Sequence, residues 1–306
     1  MQLWTKDFLM TNRRHFIKQI ASISALGLVY PSELLANKNP EHLCIMHTND
    51  VHSHIDPFPE NHKKYPGMGG VARRAKLIQE IRSRCEHTLL LDAGDMFQGT
   101  PYFNYFGGEL EFKLMNAMNY DAATLGNHDF DNGIDSLARQ AKRANFKILN
   151  ANYNFDKTPM NGLIQSYQIF NKGKFKIGVF GIGIELRGLV DPKMFGNTIY
   201  NDPIKEAKHQ AEFLKNQGCN LIICLSHLGL KYDSKKVSDT ILAESCSYID
   251  IVIGGHTHSF LEKPIEIDSK TRGKTYINQV GWAGINLGII DVYRDKSSSK
   301  SRIIIS

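Results

Sequence analysis

The sequence predicts an α/β fold built on mixed sheets. Short apolar runs with the length of buried strands recur along the chain, and stretches with apolar residues at helical spacing lie between several of them. Near the carboxyl end, two strand-like runs follow each other with no helical stretch between them, as in an antiparallel pair. These observations predict one domain over residues 37–306, preceded by a segment of different character.

Five of the predicted strands run directly into His, Asp or Asn. A single polar residue at a strand end carries little information, but here every one of these ends carries side chains that can bind metals. In α/β sheets, ligands bind beyond the carboxyl ends of the strands. We therefore expect a polynuclear metal site, and an enzyme. The five segments are 43–52, 88–95, 122–129, 221–227 and 249–258.

The other predicted elements are two helices and four strands. The second helix begins with Asp202 as its N-cap and Pro203 in its first turn. The helices are predicted over 70–82 and 203–215, and the strands over 147–152, 176–183, 275–280 and 286–293. The last two strands are joined by the short segment 281–284, which predicts an antiparallel hairpin.

The composition is that of an ordinary globular protein. Hydrophobic residues make up 42% of the chain and charged residues 22%, and the net charge is +6. The chain has no dense stripe of Lys and Arg, so the sequence indicates no nucleic-acid partner. The five cysteines form no Cys-x-x-Cys pair, and their odd number argues against a complete disulfide framework.

Residues 1–36 resemble a twin-arginine signal peptide. Arg13 and Arg14 are followed by Phe16, Lys18 and an apolar stretch over 20–29. That stretch is shorter than the roughly 20 residues that a membrane-spanning helix needs, so it is read as part of a removable peptide. Asn12 departs from the usual Ser or Thr, and an amphipathic first helix is the alternative. The resemblance implies the twin-arginine export machinery as a partner and a periplasmic location.

The strand-end residues themselves favour a centre with two metal ions. Side chains two apart on an extended strand point the same way, so Asp50 with His52, and His256 with His258, can converge. Imidazole mixed with carboxylate favours Mn, Fe, Zn or Co over Ca or Mg. Seven candidate ligands exceed what one ion of about four to six ligands can take, whereas two ions sharing Asp95 fit. The candidates are Asp50, His52, Asp95, Asn127, His227, His256 and His258.

The same segments resemble the metallophosphoesterase (calcineurin-like) superfamily, and within it the 5′-nucleotidase family. The matching blocks occur in order at 50–52, 94–95, 126–129, 226–227 and 255–258, with connecting segments at 69–73, 98–101, 118–125 and 176–181. The resemblance covers nearly all of residues 43–295. It implies a four-layer α/β/β/α sandwich of two mixed sheets, the metallophosphoesterase type of fold, for the catalytic domain at 37–306.

The resemblance also implies a role for each matching residue. His128 corresponds to a catalytic histidine that binds no metal, and Asp131 to the carboxylate that orients it. The 5′-nucleotidases often have Gln where this chain has His258. The first of two divalent transition-metal ions (Mn, Zn, Fe or Co) would be held by Asp50, His52, Asp95 and His258, and the second by Asp95, Asn127, His227 and His256.

Several neighbours of these blocks receive other interpretations. Asp129 is predicted to satisfy local backbone groups, and Asp92 to lie behind the metal ligands. His54 and His62 flank a Pro-rich loop and could line the mouth of the site. Trp282 and Tyr276 are interpreted as core residues rather than as platforms for a nucleobase.

The resemblance implies an exported dinuclear-metal phosphohydrolase that releases phosphate from nucleotides, like a 5′-nucleotidase, by in-line attack of a metal-bound hydroxide. A 2′,3′-cyclic nucleotide or nucleotide-sugar phosphodiesterase is the first alternative, and a thiosulfohydrolase another. In the family, a C-terminal domain supplies nucleotide specificity, and the sequence has no counterpart of it after residue 295. We therefore expect a possible partner chain carrying that nucleotide-binding domain. The non-enzymatic alternative is a subunit that only binds such a chain.

Overall fold

Two six-stranded sheets organise the part of the chain that the computed structural model describes, residues 40–269, 273–294 and 301–305. The predicted signal peptide at 1–36 lies outside these residues. The strands are β1 (Glu41–Thr48), β2 (His87–Asp92), β3 (Ala122–Ala123), β4 (Lys147–Ile148), β5 (Tyr153–Asn154), β6 (Tyr167–Lys172), β7 (Phe175–Ile182), β8 (Ile199–Tyr200), β9 (Leu221–Ser226), β10 (Ile251–Gly254), β11 (Ile265–Ser269), β12 (Gly273–Asn278), β13 (Gly288–Arg294) and β14 (Ser301–Ile305).

Both sheets are mixed, as predicted. The first has the order β14-β13-β1-β2-β3-β4, in which β1 to β4 are parallel and β13 and β14 are antiparallel to their neighbours. The second has the order β11-β12-β10-β9-β7-β6, with β7, β9, β10 and β12 parallel and the two edge strands antiparallel. Strands β5 and β8 form a separate pair. Edge strands β6 and β11 were not anticipated from the sequence.

Seven α-helices accompany the sheets in the described residues. None of them has the length and apolarity that crossing a bilayer requires. They are α1 (Val71–Arg84), α2 (Pro101–Phe106), α3 (Glu109–Ala117), α4 (Ile134–Ala141), α5 (Pro192–Phe195), α6 (Pro203–Asn216) and α7 (Asp239–Ser245). A short 3₁₀ turn covers His128–Phe130.

The apolar residues assemble these elements into four layers. Alternate residues of a strand face opposite sides of its sheet, and in β1 Ile45 belongs to the core between the two sheets whereas Met46 belongs to an outer core. That outer core contains side chains of α1, α3 and α4, including Ile78 and Phe112. On the other side, a third core joins the second sheet to α6 and α7. The predicted α/β/β/α sandwich is confirmed.

Helix α6 shows how local sequence produces one of the outer layers. The Asp202 carboxylate accepts hydrogen bonds from the backbone N–H groups of Ile204 (2.8 Å) and Lys205 (3.0 Å), so it caps the helix as predicted. Ala207, Ala211 and Leu214 recur at helical spacing and are fully buried against the second sheet.

The predicted hairpin at 275–280 and 286–293 is wrong. Strand β12 lies in the second sheet beside β10, and β13 lies in the first sheet beside β1. Segment 281–284 therefore carries the chain from one sheet to the other. Local alternation predicts two strands and a turn, but the choice of partner depends on burial between distant segments, which the local pattern does not contain.

Candidate metal centre

The seven predicted metal ligands lie beyond the carboxyl ends of five strands, three from the first sheet and two from the second. Asp50 and His52 follow β1, Asp95 follows β2 and Asn127 follows β3. In the second sheet, His227 follows β9, and His256 and His258 follow β10. Contacts between their side chains bring these segments together at one edge of the sandwich.

The six imidazole and carboxylate ligands form two groups, and within each group the donor atoms lie within 4.8 Å of one another. In the first group, Nε2 of His258 is 3.3 Å from Oδ1 of Asp50 and 3.0 Å from Nε2 of His52. The second group consists of Asp95, His227 and His256. Nε2 of His227 is 3.0 Å from Oδ2 of Asp95.

Asp95, a member of the second group, also faces the first. Its Oδ2 atom, which faces His227, is also 3.8 Å from Nε2 of His52 in the first group. The backbone N–H of His128 donates to its other oxygen, Oδ1, at 2.8 Å. A carboxylate in this position can reach both groups.

The ligand pairs converge for a different reason than the sequence suggested. Strand β1 ends at Thr48 and β10 at Gly254, so neither pair lies on an extended strand. Five of the ligands instead have left-handed backbone angles, with φ between 49° and 70°. They are Asp50, His52, Asp95, His256 and His258. Such a conformation costs a residue other than glycine on the order of 1 kcal/mol and is concentrated at functional sites.

Two glycines allow the loops to approach this closely. A Cβ atom on Gly126 would lie 2.1 Å from Oδ1 of Asp95 and 2.6 Å from the ring of His227. A Cβ atom on Gly255 would lie 2.8 Å from Nδ1 of His227. A larger residue at either position would displace the predicted ligands.

Backbone carbonyls orient two of the imidazoles. Nδ1 of His227 donates to the carbonyl of Ala93 (2.7 Å), and Nδ1 of His52 donates to that of Phe97 (3.1 Å). Each bond places the proton on Nδ1 and leaves Nε2 as the atom available to a metal.

Burial and charge oppose each other strongly at the second group. Burial lowers the pKa of His227, but the carboxylates of Asp95 and Asp50 outweigh it and raise that pKa to about 10. Burial also raises the pKa of Asp95, and His227 more than reverses this, so the pKa of Asp95 lies below its usual value. Burial, followed by the charge of His227, lowers the pKa of His256 to about 4. The buried carboxylates of Asp50 and Asp95 need a compensating positive charge beside them.

The donor atoms fit divalent metal ions. Oδ1 of Asn127 is buried and makes no hydrogen bond within the described residues, although buried polar atoms normally make one, and the buried Nε2 of His227 faces the carboxylate of Asp95 at 3.0 Å. Both belong to residues predicted to hold the second ion. The mixture of imidazole nitrogen and carboxylate oxygen suits transition metals.

His128 lies beside the two ligand groups and belongs to neither. Its ring is 5.3 Å from that of His52, and Nδ1 donates to Oδ2 of Asp131 at 2.7 Å. This hydrogen bond raises the pKa of His128 above its usual value. The side chain of His128 is 37% exposed, so its ring is accessible to a substrate.

The carboxyl of Asp129 organises the loop that carries Asp95. Its two oxygens accept from the backbone N–H groups of Asp95 (3.1 Å), Met96 (2.9 Å), Phe97 (3.2 Å) and Gly126 (2.8 Å). The prediction that Asp129 satisfies local backbone is confirmed. Behind the ligands, as predicted, Asp92 accepts from the hydroxyl of Thr48 and from the N–H of Gly94.

Two buried amides near the ligands were not identified from the sequence. Asn49 donates to Oδ2 of Asp50 (2.7 Å) and accepts from the N–H of Val280 (2.9 Å). Gln279 donates to the carbonyl of Gly255 (2.7 Å) and accepts from the N–H of Ser259, so it spans the loop that carries His256 and His258. The sequence signal they share is an amide directly after a buried strand, since β1 ends at Thr48 and β12 at Asn278.

Comparison with known proteins places this geometry in a family. Residues 44–260 match the family model of the calcineurin-like phosphoesterases. The chain belongs to the calcineurin-like phosphoesterase family. The family uses divalent metals, which agrees with the two groups of possible ligands.

Several curated relatives of this calcineurin-like phosphoesterase chain are 5′-nucleotidases. It is 40% identical to the snake venom 5′-nucleotidase of Crotalus adamanteus over 227 residues, which are 72% of this chain and 37% of the relative. It is 37% identical to the 5′-nucleotidase of Bos taurus over 250 residues, 78% of this chain and 41% of the relative. The chain thus spans about two fifths of the length of these relatives.

Solved structures agree with this assignment. The 5′-nucleotidase precursor of Thermus thermophilus superposes with a TM-score of 0.77 at 30% identity, covering 86% of this chain and 53% of that one. The NAD nucleotidase of Haemophilus influenzae gives a TM-score of 0.75 at 26% identity, covering 87% and 50%.

Proposed function

We propose that this protein is a phosphohydrolase that uses two divalent metal ions to release phosphate from nucleotides. One observation carries the proposal. Two groups of imidazole and carboxylate donors adjoin where Asp95 of the second group lies 3.8 Å from His52 of the first, and they lie beside the hydrogen-bonded pair of His128 and Asp131. The similarity to 5′-nucleotidases supports a nucleotide as substrate.

The assignment of ligands follows the two groups. Asp50, His52 and His258 would hold the first ion together with Asp95. Asp95, His227 and His256 would hold the second together with Asn127, whose buried oxygen has no hydrogen-bond partner within the described part of the chain. Ions in such a pair polarise phosphoryl oxygens and lower the pKa of a bound water molecule.

His128 acts on the substrate rather than on a metal. Asp131 holds the proton on Nδ1 and favours the charged ring, because it raises the pKa of His128. The charged ring can stabilise negative charge on the phosphoryl group, and Nε2 can donate a proton to the leaving oxygen. General acid catalysis of this kind typically contributes roughly 10²–10⁴-fold to the rate.

We also propose export through the twin-arginine route to the periplasm, on the basis of Arg13, Arg14 and the apolar stretch that follows them. Changing both arginines to Lys and fractionating the producing bacterium tests it. Retention of the variant in the cytoplasm is expected, and export equal to wild type would contradict the proposal. A separate nucleotide-recognition chain stays a prediction.

Chromatographic analysis of the products formed by the purified full-length chain tests the enzymatic proposal, because hydrolysis of 5′-AMP releases phosphate whereas hydrolysis of UDP-glucose or 2′,3′-cyclic AMP releases a phosphomonoester. The chain, with its metal content measured and Mn²⁺ added, is offered 5′-AMP, UDP-glucose and 2′,3′-cyclic AMP. Turnover of 5′-AMP in preference to the two diesters is expected. Preferential turnover of either diester would assign a phosphodiesterase instead, and two bound metals with no turnover of any substrate would contradict hydrolysis of nucleotides by this chain.

A further inference from the structure

Three aromatic rings, Tyr65, Phe260 and Trp282, form an aromatic wall beside the first ligand group. The indole of Trp282 stacks on the imidazole of His258 with 5.6 Å between ring centres and 4° between ring planes. Trp282 is only partly buried, so the interpretation of this residue as part of the core is wrong.

The other two rings continue the surface away from His258. Tyr65 and Phe260 stack at 6.0 Å with 29° between their planes, and Tyr65 lies edge-on to Trp282 at 6.4 Å. Phe260 is 41% exposed. Contiguous apolar surface of this kind is typical of sites that bind ligands or other proteins.

The backbone connects the wall rigidly to the ligand-bearing loops. Phe260 follows His258 by two residues and pairs with Val280 in a β-bridge. A Cβ atom on Gly281 would lie 2.2 Å from the ring of Phe260, so only glycine permits this contact. The N–H of Ala283, next to Trp282, donates to the carbonyl of Asp50 at 2.7 Å.

Further rings pack against the wall. His54 packs edge-on against Trp282 at 5.2 Å, and Phe58 lies 5.9 Å from it. His62 stacks nearly parallel to Tyr65 at 5.8 Å. His54 and His62, which could have lined the mouth of the site, thus contact the rings of the wall.

We propose that the aromatic wall determines substrate specificity by stacking the nucleobase of the nucleotide whose phosphate lies at the metal ligands. The proposal rests on the function proposed above. Every nucleobase presents a π-face, and aromatic side chains bind such faces by stacking without selecting one base. The wall therefore suits nucleoside phosphates as a substrate class. We expect similar kcat/KM values for purine and pyrimidine nucleotides.

A neighbouring cavity of about 560 Å³ is the competing position for the base. It is lined by Phe58, Tyr102, Tyr105 and Phe106 among others, and it adjoins the wall through His54 and Phe58. The wall is the better candidate because Trp282 stacks on a predicted metal ligand, whereas none of the residues that line the cavity is a predicted ligand.

Kinetics on two substrates that differ only in the base test the proposal. The full-length chain with Mn²⁺ is assayed on 5′-AMP and on ribose 5-phosphate. The double variant Tyr65→Leu/Phe260→Leu keeps apolar bulk but removes two rings. Its kcat/KM for 5′-AMP is expected to fall roughly tenfold (~1.4 kcal/mol), while that for ribose 5-phosphate stays within about twofold. Tyr65→Phe, which keeps the ring, is expected to behave as wild type.

The exposed ring of Tyr105, which lines the cavity, provides the matched control. Tyr105→Leu is expected to change neither substrate. A loss confined to 5′-AMP in Tyr105→Leu, or an equal loss on both substrates in the double variant, would overturn the proposal. A wild-type chain that hydrolyses neither substrate would instead contradict the proposed function.

Equilibrium binding gives a readout that needs no turnover. The chain has two tryptophans, so Trp4→Phe leaves Trp282 as the single fluorescent reporter. Adenosine, which has no phosphate, is expected to quench this fluorescence saturably, with an affinity roughly tenfold lower in the double variant. Absence of quenching, or equal affinity in wild type and double variant, would contradict stacking on the wall.

Discussion

At the scale of single residues, Asp129 shows how much of the centre depends on a side chain that touches no metal in the proposed assignment. Each of its carboxylate oxygens accepts from two backbone N–H groups, and all four belong to loops that carry predicted ligands. An isosteric amide has only one oxygen. Its NH₂ group would have to face two N–H donors.

We therefore expect Asp129→Asn to destabilise the protein by roughly 2–4 kcal/mol, because two buried donors lose their acceptor. Urea unfolding monitored by circular dichroism measures the loss. The exposed Asp233 provides the matched control, and Asp233→Asn is expected to unfold as wild type does. Equal stability of both variants would show that the four hydrogen bonds contribute nothing.

His128 is predicted to serve the reaction without holding a metal. His128→Ala is expected to keep both metal ions and to lower kcat by roughly 10²–10⁴-fold, because it removes the proposed acid and its positive charge. Metal analysis by mass spectrometry and phosphate release on 5′-AMP together measure this. His209→Ala, at an exposed position of α6, is the control. A His128→Ala protein that has lost a metal would show that the role is misassigned.

At the scale of elements, the loops rather than the strands shape the centre. The strands end at Thr48, Asp92, Ala123, Ser226 and Gly254, and the ligands follow in turns. Five ligand residues in the left-handed region store backbone strain. The side chains of Asn49, Asp129 and Gln279 hold those turns by hydrogen bonds to backbone groups. The strands fix where each turn begins, and the hydrogen bonds of the buried amides and the carboxyl fix the shape of the turns.

Helix α6 depends on its cap in a measurable way. Asp202 accepts from two N–H groups that have no partner within the helix. Asp202→Ala is expected to lower the free energy of unfolding by about 1 kcal/mol. Asp202→Asn, which can still accept, should lose less. Thermal unfolding compares the three proteins, and an alanine variant as stable as wild type would show that water replaces the cap at no cost.

At the scale of the whole molecule, the proposed ions would connect the two sheets. Asp50, Asp95 and Asn127 come from the first sheet, and His227 and His256 from the second. Ions bound between them favour the folded chain over the unfolded one, by about 2.7 kcal/mol when free metal is a hundredfold above its dissociation constant.

We therefore expect added Mn²⁺ to raise the melting temperature of the chelator-treated protein. The His256→Ala variant, which lacks one donor from the second sheet, should show a smaller increase at the same metal concentration. Scanning calorimetry with and without Mn²⁺ makes the comparison. Identical melting temperatures with metal and with chelator would contradict a centre that bridges the sheets.

Much of this architecture is predictable from the sequence because it follows from local sequence patterns. Buried strands appear as apolar runs, α6 appears with its cap, and the metal-binding side chains appear directly after the strands. Each of these signals depends only on neighbouring residues. Hydrophobic periodicity and capping residues favour the corresponding strand or helix directly.

Tertiary structure decided the rest. The partners of β12 and β13, the left-handed turns that bring ligand pairs together, and the position of Trp282 against His258 depend on segments far apart in the chain. Sequence by itself determined the fold class and the chemistry of the ligands, because burial and donor type are properties of single residues and short runs. The packing of two sheets decided which turns form and which rings face the centre, because that choice minimises the free energy of the whole chain.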